Sequence, residues 1–200
     1  GRTMQIGLIG LGKMGFNLAL NFRRNGHQVI AFDKSKSAME RIGSEGIQIA
    51  GSVGELADTL TGRKVIWIMV PAGNAVDVIL GNLKNHLRAD DIIIDGGNSH
   101  YKETIARAAD LDRSGIHLLD CGTSGGVWGL ERGYCLMVGG EREAIATLAP
   151  ALATLAPGRA AAPPTPGRAS EAKAGASASA STAEEGWLHV GANGAGHFVK

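Results

Sequence analysis

The densest chemistry in the sequence lies near its start, in Gly7-Leu8-Ile9-Gly10-Leu11-Gly12-Lys13-Met14-Gly15. Glycines at 10, 12 and 15 match the turn that carries a strand into a helix around a pyrophosphate. The first makes the tight turn, the second lets backbone approach the phosphates, and the third lets helix and strand pack closely. The helix beyond then presents unpaired N–H groups to the anion. Asp33 follows at about the 20-residue offset at which a carboxylate meets the adenosine ribose. Its ordinary alternative is an N-cap for the helix through Ala38 to Arg41. Gly7 to Lys13 also satisfies the opening of a P-loop, but Met14 stands where a Ser or Thr must hold magnesium, which sets that reading aside.

Three more stretches carry groups that could act. Val70-Pro71-Ala72-Gly73 and Asp95-Gly96-Gly97-Asn98-Ser99 each follow a nearly continuous apolar run, so both sit where strands of an open parallel sheet meet their ligand. For the first of them a plain strand-to-helix turn is an equally good account. Gly122-Thr123-Ser124-Gly125-Gly126 is a loop of hydroxyls and glycines suited to capturing an anionic group. It matches the Gly-x-Ser-x-Gly elbow of serine hydrolases in letter, yet Val127 to Gly133 leads toward another strand and not into the helix that elbow requires. The only cysteines, Cys121 and Cys135, form no CxxC or Cys/His array; this suits a reducing compartment and offers no metal site.

The elements that must position these groups alternate. Met4 to Ile9, His27 to Asp33, Lys64 to Val70, Asp91 to Asp95, Ile116 to Cys121 and Tyr134 to Val138 read as strands, several of them apolar enough to be buried on both faces. Between them, helical spacing runs from Phe16, through Ala38 to Arg41, from a capping box at Ser52-Val53-Gly54-Glu55, and over Ala75 to Leu83, Lys102 to Ser114 and Glu141 to about Ala156. The expected fold is α/β, a doubly wound, mostly parallel sheet of Rossmann-like type. Residues 1–157 and 186–200 form the dinucleotide-binding domain. Residues 158–185, almost all Ala, Gly, Ser, Pro and Thr with scattered charge, form a long mobile surface loop within it. Trp187 to Gly191 reads as a last strand, and residues 197–200 as the first turn of another helix.

Composition narrows the partners. The 200 residues are 44% hydrophobic, enough for a sizeable core, and the 4% aromatic content argues against a protein that stacks bases. A net charge of +1 without a basic cluster implies neither nucleic acid nor a membrane surface as partner. No apolar run approaches the roughly 20 residues of a membrane span and no signal peptide is visible, so a soluble cytoplasmic protein is expected.

The glycine fingerprint, Asp95-Gly96-Gly97-Asn98-Ser99, Gly122 to Gly126 and Gly194-Ala195-Gly196-His197-Phe198-Val199-Lys200 occur in the order seen in decarboxylating 6-phosphogluconate dehydrogenases, and the chain resembles that family over nearly its whole length outside the Ala/Ser-rich stretch. The resemblance implies oxidation of 6-phosphogluconate, with hydride transfer to a nicotinamide and decarboxylation to ribulose 5-phosphate in the pentose phosphate pathway. It implies that Gly10, Leu11, Gly12, Lys13, Met14, Gly15, Asp33, Lys34, Val70, Pro71 and Ala72 bind cofactor, and that Asn98 touches both substrate and nicotinamide. By the same resemblance Ser124, Gly125 and Gly126 hold the sugar acid, and Lys200 is the general base. A lysine serves as base near neutrality only where its surroundings lower its pKa from about 10.4.

Cofactor choice follows from charge. Family members that use NADP typically carry Asn-Arg where this chain has Asp33-Lys34. A carboxylate about 4 Å from one phosphate charge costs on the order of 4 kcal/mol at an effective dielectric near 20. NAD is therefore expected over NADP. The family's apparatus continues past this lysine with a His-Asn pair, a glutamate acting as general acid, and a helical domain that dimerises and binds the phosphate; none of these is in the sequence. The expectation is thus an N-terminal nucleotide-binding portion that does not turn over alone, in a family whose full-length members are homodimers or larger. Alternatives are a non-catalytic nucleotide-binding module left by truncation, and another β-hydroxyacid dehydrogenase.

Overall fold

The computed structural model describes residues 3–124, 135–155 and 187–199. The chain alternates as β1 (Gln5–Ile9), α1 (Lys13–Arg24), β2 (Gln28–Phe32), α2 (Lys36–Ser44), β3 (Gln48–Ile49), α3 (Val53–Thr59), β4 (Val65–Ile68), α4 (Asn74–Leu83), β5 (Ile92–Asp95) and α5 (Tyr101–Asp112). It continues with β6 (His117–Ser124), β7 (Cys135–Gly139), α6 (Arg142–Leu155), β8 (Trp187–Gly191) and α7 (Ala195–Val199). One sheet of order β3-β2-β1-β4-β5-β6-β7-β8 results. Neighbours from β3 to β6 are parallel, β7 runs antiparallel to β6, and β8 runs parallel to β7. After β3 the chain crosses back over β1 to begin β4, so the strand order reverses between β1 and β4, the position at which such sheets open a ligand crevice.

The apolar strands are apolar throughout because both faces are covered. Every residue of Val65-Ile66-Trp67-Ile68 and of Ile92-Ile93-Ile94-Asp95 is buried. Alternation divides them: Val65, Trp67, Ile92 and Ile94 enter the cluster that takes in Leu18 and Phe22 of α1, Ile42 of α2 and Leu148 and Leu152 of α6. Ile66, Ile68 and Ile93 face the other way, onto Leu56 of α3, Val76 and Leu80 of α4 and Leu111 of α5. Phe22 meets the Trp67 ring edge-on at 5.6 Å between centroids, which fixes α1 against the middle of the sheet.

Several boundaries differ from the sequence reading for local reasons. β4 stops at Ile68, two residues before the expected Val70, and α7 begins at Ala195, ahead of the expected His197. β3 was not foreseen: it is two residues long and both are exposed, so no apolar pattern marks it. The cap of α2 is Ser35, whose Oγ accepts from the Ala38 N–H at 3.3 Å, which leaves Asp33 out of the helix. At α3 the capping box forms with a one-residue shift: Ser52 Oγ accepts from Glu55 N–H at 3.0 Å, while Glu55 Oε2 accepts from Gly51 N–H at 2.9 Å. Gly125 and Gly126, the side chain of Ser124, Val127 to Tyr134, the stretch 158–185 and Lys200 lie outside the described residues.

Candidate functional site

Hydrogen bonds continue the sheet one residue past the carboxyl ends of its central strands. Gly10 N–H donates to Phe32 C=O (2.9 Å), Met69 N–H to Ile9 C=O (2.7 Å) and Gly96 N–H to Ile68 C=O (2.9 Å). The residues that follow, among them Leu11, Asp33, Val70 and Gly97, are thereby gathered on one rim. Gly10 has φ +101°, and a Cβ on it would stand 2.3 Å from the Met69 carbonyl oxygen. A Cβ on Gly15 would stand 1.9 Å from the Gly10 carbonyl oxygen, so α1 packs directly on the turn. Gly12 is different: no protein atom lies within 4 Å of a Cβ built there. Nothing in the protein requires glycine at 12, whereas a ligand approaching the backbone would.

Gly12 is the N-cap of α1, no side chain caps that helix, and its first turn holds no acid. The positive end of the helix is thus left for an exogenous anion. Asp33 closes the turn from the side. Its Oδ2 accepts from Leu11 N–H at 2.7 Å and its Oδ1 from Ser35 N–H at 2.7 Å. An ionised carboxylate offers about four lone-pair positions. Two are engaged by backbone, and the others remain to meet a vicinal diol.

A cleft of about 1290 Å³ opens on this rim. Gly10, Gly12, Phe32, Asp33, Lys34, Val70 and Pro71 line it on the sheet side; Ala75, Val78 and Ile79 of α4 add an apolar wall, and Ser52, Glu55 and Asp58 at α3 with Asn82 and His86 add polar groups. An apolar slot beside a carboxylate and a free helix end fits a nucleoside diphosphate: ring in the slot, ribose at the acid, phosphates at the helix. Among the described residues that line the cleft there is no arginine. Ala72 is exposed beside that lining. Leu11 is buried and can reach a ligand at the turn only through backbone, Met14 is half-buried against the core that α1 covers, and Lys13 is exposed.

A second constellation follows β5. Asp95 is buried, and its Oδ1 accepts from Gly97 N–H (3.0 Å) while its Oδ2 accepts from Ser99 Oγ–H (2.6 Å). The loop is therefore closed on its own aspartate and presents Asn98 at an exposed apex. A Cβ on Gly97 would come within 2.7 Å of the Val70 carbonyl oxygen, which ties this loop to the one after β4. Asp120, midway along β6, is wholly buried. Its Oδ1 accepts from Gly194 N–H (2.7 Å) and its Oδ2 from His197 N–H (3.0 Å), so a strand carboxylate caps α7 from outside.

The sequence reading named Asp95 only as the head of its motif and gave no role to Asp120 or to one further support. Arg107 of α5, buried, donates through Nε to Asp77 Oδ1 (2.7 Å) and through Nη2 to Asp77 Oδ2 and Gly73 C=O (both 3.2 Å). This fork holds the start of α4 and with it the apolar wall of the cleft. The hydrogen bond from Arg107, opposed by some desolvation, keeps the Asp77 carboxyl below its ordinary pKa. The Asp95 bonds are local, to residues two and four positions on, whereas no local signal announces those of Asp120 and Arg107, whose partners lie 30 or more positions away. Among the described residues no group of three or more His, Cys, Asp or Glu could hold a metal ion, and no helix is long and apolar enough to cross a membrane.

Comparison with known proteins agrees with this geometry. Residues 5–162 match the family model of the NAD binding domain of 6-phosphogluconate dehydrogenase. A relative from Haloferax volcanii, named as an NAD(+)-dependent decarboxylating 6-phosphogluconate dehydrogenase, is 40% identical across 98% of this chain and 56% of its own length. One from Bacillus subtilis, named as NADP(+)-dependent and decarboxylating, is 36% identical across 98% of this chain and 38% of its own. Among solved structures, the Plasmodium falciparum 6-phosphogluconate dehydrogenase superposes with a TM-score of 0.79 at 26% identity, over 98% of this chain and 38% of that one. The chain thus spans about two fifths to just over half of the length of these relatives.

Proposed function

Because the chain belongs to the family of the NAD binding domain of 6-phosphogluconate dehydrogenase, we propose that it binds NAD in the cleft above β1, β2 and β4 and serves the oxidative decarboxylation of 6-phosphogluconate to ribulose 5-phosphate. The observation that carries the cofactor half is the pairing of Gly12, open to the cleft and capping an otherwise uncapped helix, with Asp33 held against Leu11 N–H. In this reading the N–H groups at the start of α1 hold the pyrophosphate, and Asp33 takes the adenosine ribose hydroxyls on its remaining lone pairs. Val70, Pro71 and the α4 wall flank the adenine.

NAD, when bound, supplies the hydride acceptor. The chain's own groups orient and exchange protons. Asn98, on the loop that Asp95 closes, stands to meet nicotinamide and substrate together, and Ser124, Gly125 and Gly126 hold the sugar-acid end. Lys200 removes the proton of the hydroxyl being oxidised and then assists decarboxylation. These last roles are carried from the family's pattern onto matching positions, and the acid and phosphate-binding groups of the full reaction belong to parts of such an enzyme beyond the motifs in this sequence.

Charge selects NAD. The 2′-phosphate of NADP would enter beside Asp33 at a cost on the order of 4 kcal/mol per unit charge at 4 Å, and Lys34 is exposed and offsets it only in part. Calorimetric titration of the wild type and of Asp33→Asn with each cofactor tests this. Saturable NAD binding is expected, with NADP weaker by about tenfold or more, and Asp33→Asn should narrow that gap from both sides. Equal affinity for the two cofactors in the wild type would overturn the charge argument. Absence of binding to either would overturn the proposal.

A further inference from the structure

His197 stands where three elements converge. Its backbone N–H donates to Asp120 Oδ2 of β6 at 3.0 Å, its ring Nε2 lies 3.0 Å from the Asp95 carbonyl oxygen at the end of β5, and its Nδ1 lies 2.8 Å from Thr104 Oγ1 of α5. A carbonyl oxygen only accepts, so Nε2 carries the ring proton and donates it to Asp95. In the neutral ring Nδ1 is then an acceptor, and the hydroxyl of Thr104, a residue with no exposed surface, turns its one proton to it at 2.8 Å in preference to the His100 carbonyl oxygen at 3.4 Å. The side chain is thus held at both nitrogens, and its backbone is held as well.

The Asp95 carbonyl belongs to the residue that opens the Asp-Gly-Gly-Asn-Ser loop. The Asp95 carboxylate fixes that loop from within, through Gly97 and Ser99. His197 holds the base of the loop from without. Gly196, next to it, admits no side chain: a Cβ there would stand 2.6 Å from the Met137 carbonyl oxygen and 2.7 Å from that of Asp120. The ring is therefore delivered by a backbone packed close on β6 and β7, and the carbonyl it grips lies 102 positions earlier in sequence.

We propose that His197 is a positioning residue for the nicotinamide half of the site: through Nε2–H it sets the Asn98 loop in register with the segment that runs on to Lys200. The proposal rests on the reading of Asn98 as a group that meets nicotinamide. A residue that merely filled space would matter for stability and leave the response of Asn98 to cofactor unchanged.

Replacement can separate these roles, because glutamine places an amide nitrogen near the position of Nε2 and asparagine places one near Nδ1. The test follows the amide resonances of Gly12 and the side-chain amide of Asn98 by NMR, with NAD and with ADP-ribose, which lacks nicotinamide, as probes. In the wild type both probes should move Gly12 and only NAD should move Asn98. His197→Asn should abolish the Asn98 response to NAD and keep that of Gly12, and His197→Gln should restore it. Asn98 responding alike in the wild type and both variants would overturn the proposal, as would a wild type in which NAD moves Gly12 but not Asn98. If neither probe moves Gly12, the cofactor reading itself fails, and this inference with it. Should His197→Asn not fold, Thr104→Val frees the ring on its other side; the Asn98 response should then weaken while Gly12 responds as before, and an unweakened response would count against the proposal.

Discussion

Gly12 and Gly15 are three residues apart and answer to different demands. At Gly15 the constraint is internal, since a Cβ would collide with the Gly10 carbonyl oxygen at 1.9 Å. Gly15→Ala should therefore destabilise the fold by roughly 1–3 kcal/mol or more, as forced overpacking does, and chemical denaturation would measure it. At Gly12 the protein leaves room, so Gly12→Ala should cost about 1 kcal/mol or less, the usual penalty for alanine at an N-cap. It should nonetheless weaken NAD by about tenfold, or ~1.4 kcal/mol. A Gly12→Ala protein that unfolds like Gly15→Ala, or binds NAD like the wild type, would contradict the division of roles. Both glycines, with Gly10 and Asp33, were legible in the sequence because their meaning lies in short, fixed spacing. Asp120 was not, since its carboxylate acts on N–H groups 74 and 77 positions later. No local pattern encodes such a meeting.

At the scale of elements, one side chain ties a helix to the sheet and another ties two helices together. His27, buried ahead of β2, accepts from Met4 N–H at Nδ1 (3.0 Å), which leaves Nε2–H to reach Thr154 Oγ1 of α6 at 3.1 Å. Every polar atom of that ring is satisfied in the neutral form, and burial pushes its pKa below the ordinary 6.5. The folded state therefore binds this proton less readily than the unfolded state. Stability from this source is present above 6.5 and is lost as the pH falls below that value toward the folded pKa. Thermal melts at decreasing pH should show the wild type losing more than His27→Asn, which keeps a polar group near Nδ1 and cannot be protonated; parallel losses would refute the assignment. Arg107 plays the corresponding part for α4. Arg107→Leu removes its charge-assisted bonds to Asp77 and Gly73 and should cost about 1.5–3 kcal/mol, with no change expected in urea unfolding if the pair were ornamental. The helices themselves were readable from periodicity and caps, whereas β3 was not, because Gln48 and Ile49 make a strand only by lying beside β2.

For the whole molecule, the fold is the consequence of strands that are apolar on both faces. Ile92-Ile93-Ile94 cannot be satisfied by one layer of helices, and the chain covers it with two. That requirement made the doubly wound class evident from sequence. The antiparallel β7 and the return of β8 beside it could not be read from composition, because strand direction in a sheet is decided by what lies between the strands. The same architecture brings Gly10, Asp33 and Val70, far apart in the chain, to one rim at the crossover between β1 and β4. That the rim is a dinucleotide site is the central claim, and a crystal structure of the chain with NAD tests it most directly. The account predicts pyrophosphate oxygens within hydrogen-bond distance of the backbone N–H groups at the start of α1 and ribose hydroxyls on Asp33, with Leu11 N–H still bound to that carboxylate. NAD seated elsewhere, or on this rim with Asp33 turned away from the ribose, would contradict it.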